Sequence, residues 1–156
     1  MLYSDLEEGT LAYDILFREE PLREKLQTVA PFVIQLNFKD ELQKEESEAL
    51  IAQCYGKNGA IFFATPLDFT EALERMREIF YLKDEAGEMQ GVFRFYEPLV
   101  FEGMMHNAQK EAQKSLFNNI YCYWCEEKKP QTVVEYRYTP KGIGYRKTDL
   151  SNKETS

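Results

Sequence analysis

An α/β fold with a mixed, partly parallel sheet flanked by helices, followed by a C-terminal lobe of helices and strands, is predicted by three stretches of this 156-residue sequence. The run Ala60-Ile61-Phe62-Phe63-Ala64 has no polar alternation, the pattern of a strand covered on both faces, as in a parallel sheet. Phe69, Leu73, Met76, Ile79 and Phe80 recur at helical spacing opposite Glu71, Glu74, Arg75 and Glu78, the cleanest amphipathic helix in the chain. Arg94-Phe95-Tyr96-Glu97-Pro98 then joins the β-favouring Gly91-Val92-Phe93 to a proline suited to the first position of a helix.

From the N-terminus, Asp5 and Glu7-Glu8-Gly9 interrupt any long helix, and Leu11, Ile15 and Leu16 fit one or two amphipathic helical turns before Pro21. Ala30-Pro31 introduces a strand over 32–38, with Ile34, Leu36 and Phe38 on one side and Gln35 and Asn37 on the other. Asp40 caps a helix running to about Cys54, with Leu42, Ala49, Leu50 and Cys54 inward and Glu45, Glu46 and Glu48 outward. Gly56-Lys57-Asn58-Gly59 closes that helix ahead of the apolar strand. In Thr65-Pro66-Leu67-Asp68 the threonine is expected to cap the amphipathic helix, with Asp68 reaching back. Each helix linking two strands suggests a right-handed crossover.

Tyr81-Leu82-Lys83, a polar turn over 84–88 and a returning strand over 89–96 read as a hairpin. After Pro98 a helical region carries Leu99, Phe101, Met104, Met105, Ala108, Ala112, Leu116 and Phe117, with a break expected near Gly103 or His106. Strands over 120–125 and 132–138 complete the fold. Residues 1–146 thus read as one domain in two lobes, about 1–97 and 98–146, and 147–156 as a polar, disordered tail.

Composition narrows the function. The formal charge of −8 disfavours nucleic acid and anionic lipid as partners and suits basic or apolar protein surfaces. Neither a signal-peptide pattern nor an apolar run long enough to span a membrane is present, so a cytoplasmic protein is expected. Three cysteines fit a reducing compartment.

Cys122-Tyr123-Trp124-Cys125 has redox-pair spacing, and Cys54 with His106 would complete a Cys3His zinc set. On a strand, however, residues three apart point to opposite faces, so these two thiols should not share an ion; neither metal nor cofactor is expected. His106, the single histidine, has no triad-like spacing around it, and no phosphate-binding loop is present. The many carboxylates are explained by solvated helix faces. Tyr121, Tyr123, Trp124, Tyr136 and Tyr138 are either interface anchors of the kind that dominate binding energy or packing for the last helix.

Taken in order, Val29 to Leu36, Gly59 to Phe63, the helix Phe69 to Phe80 and above all Arg94 to Pro98 resemble a domain-of-unknown-function family. Its members are adaptor chaperones that bacterial type VI secretion systems use to load toxic effectors onto the VgrG spike. The resemblance covers about residues 11–126, and Glu97 stands where the family usually has aspartate. Met1 to Asp5 does not reproduce the family's opening Tyr-Ala-Leu-Leu-Asp-like strand. The resemblance implies a non-enzymatic adaptor whose partners are a VgrG spike protein and a cognate toxic effector. In it Arg94, Phe95, Tyr96, Glu97 and Pro98 anchor the fold or border the docking surface. The segment from Leu99 to Trp124, with Phe101, Met104, Met105, Tyr123 and Trp124, would contact effector or spike. The competing reading is an immunity protein or antitoxin that binds a toxin and blocks it.

Overall fold

Antiparallel pairing joins every strand in the computed structural model, which describes residues 2–18, 23, 30–127 and 131–150. The chain is α/β as expected, but the parallel component is corrected. The expected crossovers fail because the strands on either side of each linking helix belong to different sheets. The chain divides into two compact units, residues 1–52 with 68–92, and 53–67 with 93–156.

The first unit begins with α1 (Leu2–Glu8) and β1 (Tyr13–Ile15). Leu11, Ile15 and Leu16, expected on a helix, instead flank or form a strand that pairs with β2 (Phe32–Ile34) in the register Tyr13↔Ile34 to Ile15↔Phe32. A strand therefore does precede β2, downstream of Met1 to Asp5. The expected strand over 32–38 ends at Ile34, and Phe38, placed on one side with Ile34 and Leu36, is exposed while those two pack against the core.

α2 (Glu41–Cys54) starts where expected, with Asp40 Oδ1 accepting from Gln43 N–H at 3.0 Å. Its inward face is rotated: Ser47 and Leu50 are buried while Leu42 is exposed. The cause is hydrogen bonding. The Glu46 carboxylate accepts from the backbone of Thr10 at 2.9 Å and of Leu11 at 3.2 Å, and Ser47 Oγ accepts from Asn37 N–H at 2.9 Å. Loop donors that would otherwise lack acceptors thus draw a polar face inward. Leu6, Leu11 and Leu50 form the apolar cluster beneath, with Tyr13, Phe32, Ile34 and Leu36 against it.

α3 (Phe69–Phe80) buries Leu73, Met76 and Phe80 of the predicted stripe, and Ala72 besides; Phe69 and Ile79 are half-buried, and Arg75, expected on the opposite side, is buried. Its cap is Asp68, in a reciprocal box with Glu71, and not Thr65. Thr65 Oγ1 instead donates to Asn119 O at 2.6 Å within the second unit. Arg77, on the same helix, is buried: Nη2 donates to Ile15 O at 2.8 Å and Nε to Leu16 O at 3.3 Å. Its charge meets Glu74 at 2.8 Å and Asp14 at 3.4 Å, and Asp14 also receives Arg23 at 2.6 Å. β4 (Tyr81–Lys83) and β5 (Met89–Val92) form the expected hairpin. The returning strand stops at Val92, four residues short of Tyr96, because the chain turns at Phe93 to Glu97.

The second unit is a four-stranded sheet in the order β3-β6-β7-β8 with two helices. β3 (Ile61–Ala64) is its edge and pairs with β6 (Cys122–Glu126), so the apolar run marks a half-covered edge strand rather than a central parallel one. α4 (Pro98–Asn107) and α5 (Lys110–Leu116) replace the single helical region. The break falls at Ala108 and Gln109, where Asn107 Nδ2 donates to Gly103 O at 2.9 Å and both linking residues are extended. β6 begins at Cys122, two residues later than expected, and pairs with β7 (Thr132–Thr139). A further strand, β8 (Gly142–Asp149), was not expected: it returns through Pro140-Lys141, with Gly142 at φ +110 where a side chain would be strained. It takes Lys147, Thr148 and Asp149 out of the stretch read as tail. Residues 151–156 of that stretch lie outside the described residues.

Candidate docking surface

The corner at Arg94 to Pro98 is built by the backbone first. Glu97 N–H donates to Arg94 O at 3.2 Å, Phe95 N–H to Phe93 O at 2.9 Å, and Pro98 then opens α4 with its missing donor at a position that needs none. Phe95 turns inward and is buried, its ring edge-on to Tyr96 at 6.0 Å. Arg94 turns outward. Its Nη2 meets Glu97 Oε1 at 2.5 Å with side-chain exposures of 63% and 42%, so the pair is a surface ion pair of small energetic weight. Hydrogen bonding to Tyr96, then the charge of Glu97, push the guanidinium pKa further up. Beside them Leu99 is exposed, Tyr96 and Pro98 half-buried.

Of the residues expected to meet partners, Phe101, Met105 and Tyr123 are instead core, with Phe95. Alternation along β6 and β7 puts Tyr123, Cys125, Val134 and Tyr136 on one face of the sheet. The helices pack there: Phe101 lies 5.1 Å from Tyr123 and 5.8 Å from Tyr136 between ring centroids, and Phe117 lies 5.2 Å from Tyr123. Tyr123 Oη donates to Leu116 O at 2.7 Å, which satisfies the hydroxyl inside the core. Met104 is half-buried.

The other face carries a cross-strand row, Phe62, Trp124, Glu135 and Arg146, in register from β3 to β8. Glu135 is its hub: it accepts from Arg137 at 2.9 Å, lies 3.3 Å from Arg146 and also accepts from the Trp124 side chain. The Arg137 hydrogen bond, followed by the two guanidinium charges, holds its carboxyl below the usual carboxylate range. The half-buried indole is thus flanked by two arginines that reach water. Arg and Trp are the side chains most enriched where binding energy concentrates. Sequence reasoning named Trp124 but neither Glu135 nor Arg137, which the register of β6 with β7 brings beside it, nor Arg146, which comes from the unexpected β8.

Cys122 and Cys125 are buried on opposite faces of β6, and among the described residues no group of three or more His, Cys, Asp or Glu is placed to hold a metal. Burial pushes the Cys125 thiol up to about 12 and raises Cys122 and Cys54 as well. His106 is exposed against Tyr136 and Tyr145, with ring centroids 5.8 and 5.2 Å away. The raised Cys125 pKa has a stability consequence. Above its unfolded value of 9.0 the unfolded chain loses this proton while the folded chain keeps it, so stability falls as pH rises from there to about 12. The loss from this group approaches about 1.4 kcal/mol per pH unit within that window. Urea unfolding at mildly and strongly alkaline pH checks it: Cys125→Ala should flatten the decline, and an unchanged slope would assign it elsewhere.

No helix of the described residues is long and apolar enough to cross a membrane. A family model described as a domain of unknown function (DUF4123) matches residues 2–115, from α1 to α5, and leaves β6 to β8 beyond its end. Neither a curated protein nor a solved structure matches the chain.

Proposed function

Since the chain belongs to the DUF4123 family, which is associated with type VI secretion effector adaptors, we propose that it is an adaptor chaperone that binds one toxic effector and loads it onto a VgrG spike protein. On this reading it acts in the cytoplasm by affinity alone and catalyses nothing. The observation that carries the reading is the family match over both units, taken with a corner that offers Arg94, Tyr96 and Leu99 to solvent while Phe95 is sunk beneath it. An exposed arginine and a half-buried tyrosine on a turn held by backbone bonds are preorganised, so docking there costs little ordering of the chain.

The test is reconstitution. Co-expression of the tagged chain with an effector and the spike protein encoded alongside it should yield a ternary assembly. Deleting the chain should stop secretion of that effector while leaving its toxicity unchanged. Neutralisation of the toxin without any spike protein would support an immunity protein instead.

Arg94→Ala separates fold from docking at the corner. The ion pair is exposed, so the variant should lose less than about 1 kcal/mol of stability. Partner capture should weaken by about ten-fold or more if Arg94 is an anchor. Thermal melts and a pull-down read the two effects independently; an unfolded variant would return Arg94 to a structural role.

A further inference from the structure

β8 has one partner in the sheet, β7, and no other described strand pairs with it. The register shows which of its backbone groups are spoken for. Leu150 N–H donates to Gln131 O, and Glu127 N–H donates to Thr132 O. Carried two residues at a time along antiparallel ladders, these bonds direct the backbone of Val133, Glu135 and Arg137 to β8 and that of Thr132, Val134 and Tyr136 to β6. On β8, Gly144, Arg146 and Thr148 therefore bond inward, and the N–H and C=O groups of Ile143, Tyr145 and Lys147 face away from the sheet.

A row of alternating donors and acceptors at the strand spacing is complemented by another extended backbone. The side chains around it select the kind. Arg137, Lys141, Arg146 and Lys147 are all exposed on the β7–β8 hairpin, against three carboxylates: Glu135 and Glu127, which pair with them, and Asp149 at the far end of β8; the middle and turn end of the edge are therefore positive on a chain of net charge −8. Lysine and arginine on an edge strand discourage pairing with neutral or basic strands and favour acidic ones. A second copy of the chain would bring the same positive hairpin and the same overall negative charge.

We infer that the outer edge of β8 adds an extended, acidic segment of a partner protein as a fifth strand of the sheet. The inference rests on the adaptor reading only in that the partner is a protein; the edge itself lies beyond the family match at residue 115.

The experiment uses the whole chain and a blocked peptide of alternating glutamate and valine as long as β8, with a lysine-valine counterpart as control. Residue-resolved amide exchange reads the edge directly. In the free protein the amides of Gly144, Arg146 and Thr148 should be protected and those of Ile143, Tyr145 and Lys147 should exchange freely. The acidic peptide should protect these three, and the basic one should not. Lys147→Pro deletes one outward donor without removing an inward bond, which an edge tolerates, and should weaken the peptide about ten-fold. Should that variant fail to fold, Arg146→Gln leaves the backbone intact and should reduce both affinity and its salt dependence.

Unchanged exchange at the three amides at millimolar peptide, or equal protection by both peptides, overturns the inference. So does protection without peptide accompanied by a doubled mass, which would mean that a second copy occupies the edge. Effector capture undiminished in Lys147→Pro would remove the edge from the docking mechanism and leave the adaptor reading standing. Failure of the unaltered chain to capture effector would do the reverse, because peptide protection at the edge is read separately.

Discussion

Phe101→Ala should be the most damaging single substitution in the second unit, with a loss of about 3–5 kcal/mol. Phe101 is fully buried, and its ring is what α4 presents to Tyr123 and Tyr136 on the sheet. Truncation removes the apolar transfer energy, two edge or tilted ring contacts and the filling of the space between helix and strands, and none of the three is recovered by relaxation of a β-sheet. Against a domain stability of about 5–15 kcal/mol, the loss is enough to unfold the unit near physiological temperature. Trp124 is the single tryptophan and lies on β6 next to Tyr123, so its fluorescence reports this unit alone. Denaturant melts of wild type and variant followed at the tryptophan should show the midpoint drop, and a loss below about 1 kcal/mol would mean that α4 does not pack as described. Phe101→Leu should recover most of the difference, since it restores volume without the ring.

Arg77→Met should cost the first unit about 2–3 kcal/mol, for a reason that has little to do with volume. The guanidinium is buried and donates to the carbonyls of Ile15 and Leu16 while its charge sits between Glu74 and Asp14. Methionine keeps the length of the side chain but leaves two carbonyls short of a donor and takes one of two arginine partners from each carboxylate, Asp14 keeping Arg23 and Glu74 keeping Arg18. Both carboxylates are partly exposed, so water recovers part of the loss and the cost stays below that of a wholly buried pair. The acid response changes as well. The Arg77 hydrogen bond is the main cause of the lowered Glu74 pKa, so wild type carries stability that is present above the normal carboxylate range and lost as pH falls through the folded value. In Arg77→Met that acid-dependent decline should shrink. Hydrogen exchange at β1 and α3, compared at neutral and mildly acid pH, measures both effects; equal protection in the variant would show that the arginine only fills space.

Local signals were legible wherever one segment decides its own conformation. The centre of the α3 stripe (Leu73, Met76 and Phe80), the Asp40 cap, the polar hairpin turn before β5 and the proline that opens α4 all follow from side-chain spacing and backbone chemistry within a few residues, and the structure has each of them. The misreadings share a cause. Ala60 to Ala64 looks the same whether a strand lies in the middle of a parallel sheet or at the edge of an antiparallel one, because an apolar run records coverage and not direction. On α2 the hydrophobic pattern pointed to Leu42, yet Glu46 and Ser47 face inward to serve the backbone of Thr10, Leu11 and Asn37, partners distant in sequence. At the candidate site the corner was legible as a strand exit, but the division of its five residues between fold and surface was not: Phe95 is buried and Arg94 is exposed.

The amino-acid sequence alone determined the α/β class, the acidic charge, the starts of α2 and α4 and the family to which the chain belongs, since each is a property of composition or of neighbours along the chain. Tertiary structure decided the antiparallel order β3-β6-β7-β8, the inward face of α2, the burial of Phe101 and Tyr123, and the gathering of Trp124, Glu135, Arg137 and Arg146 into one surface. These depend on register between distant strands and on hydrogen-bond partners far apart in the chain, and the free energy that selects them exists only once the segments have met.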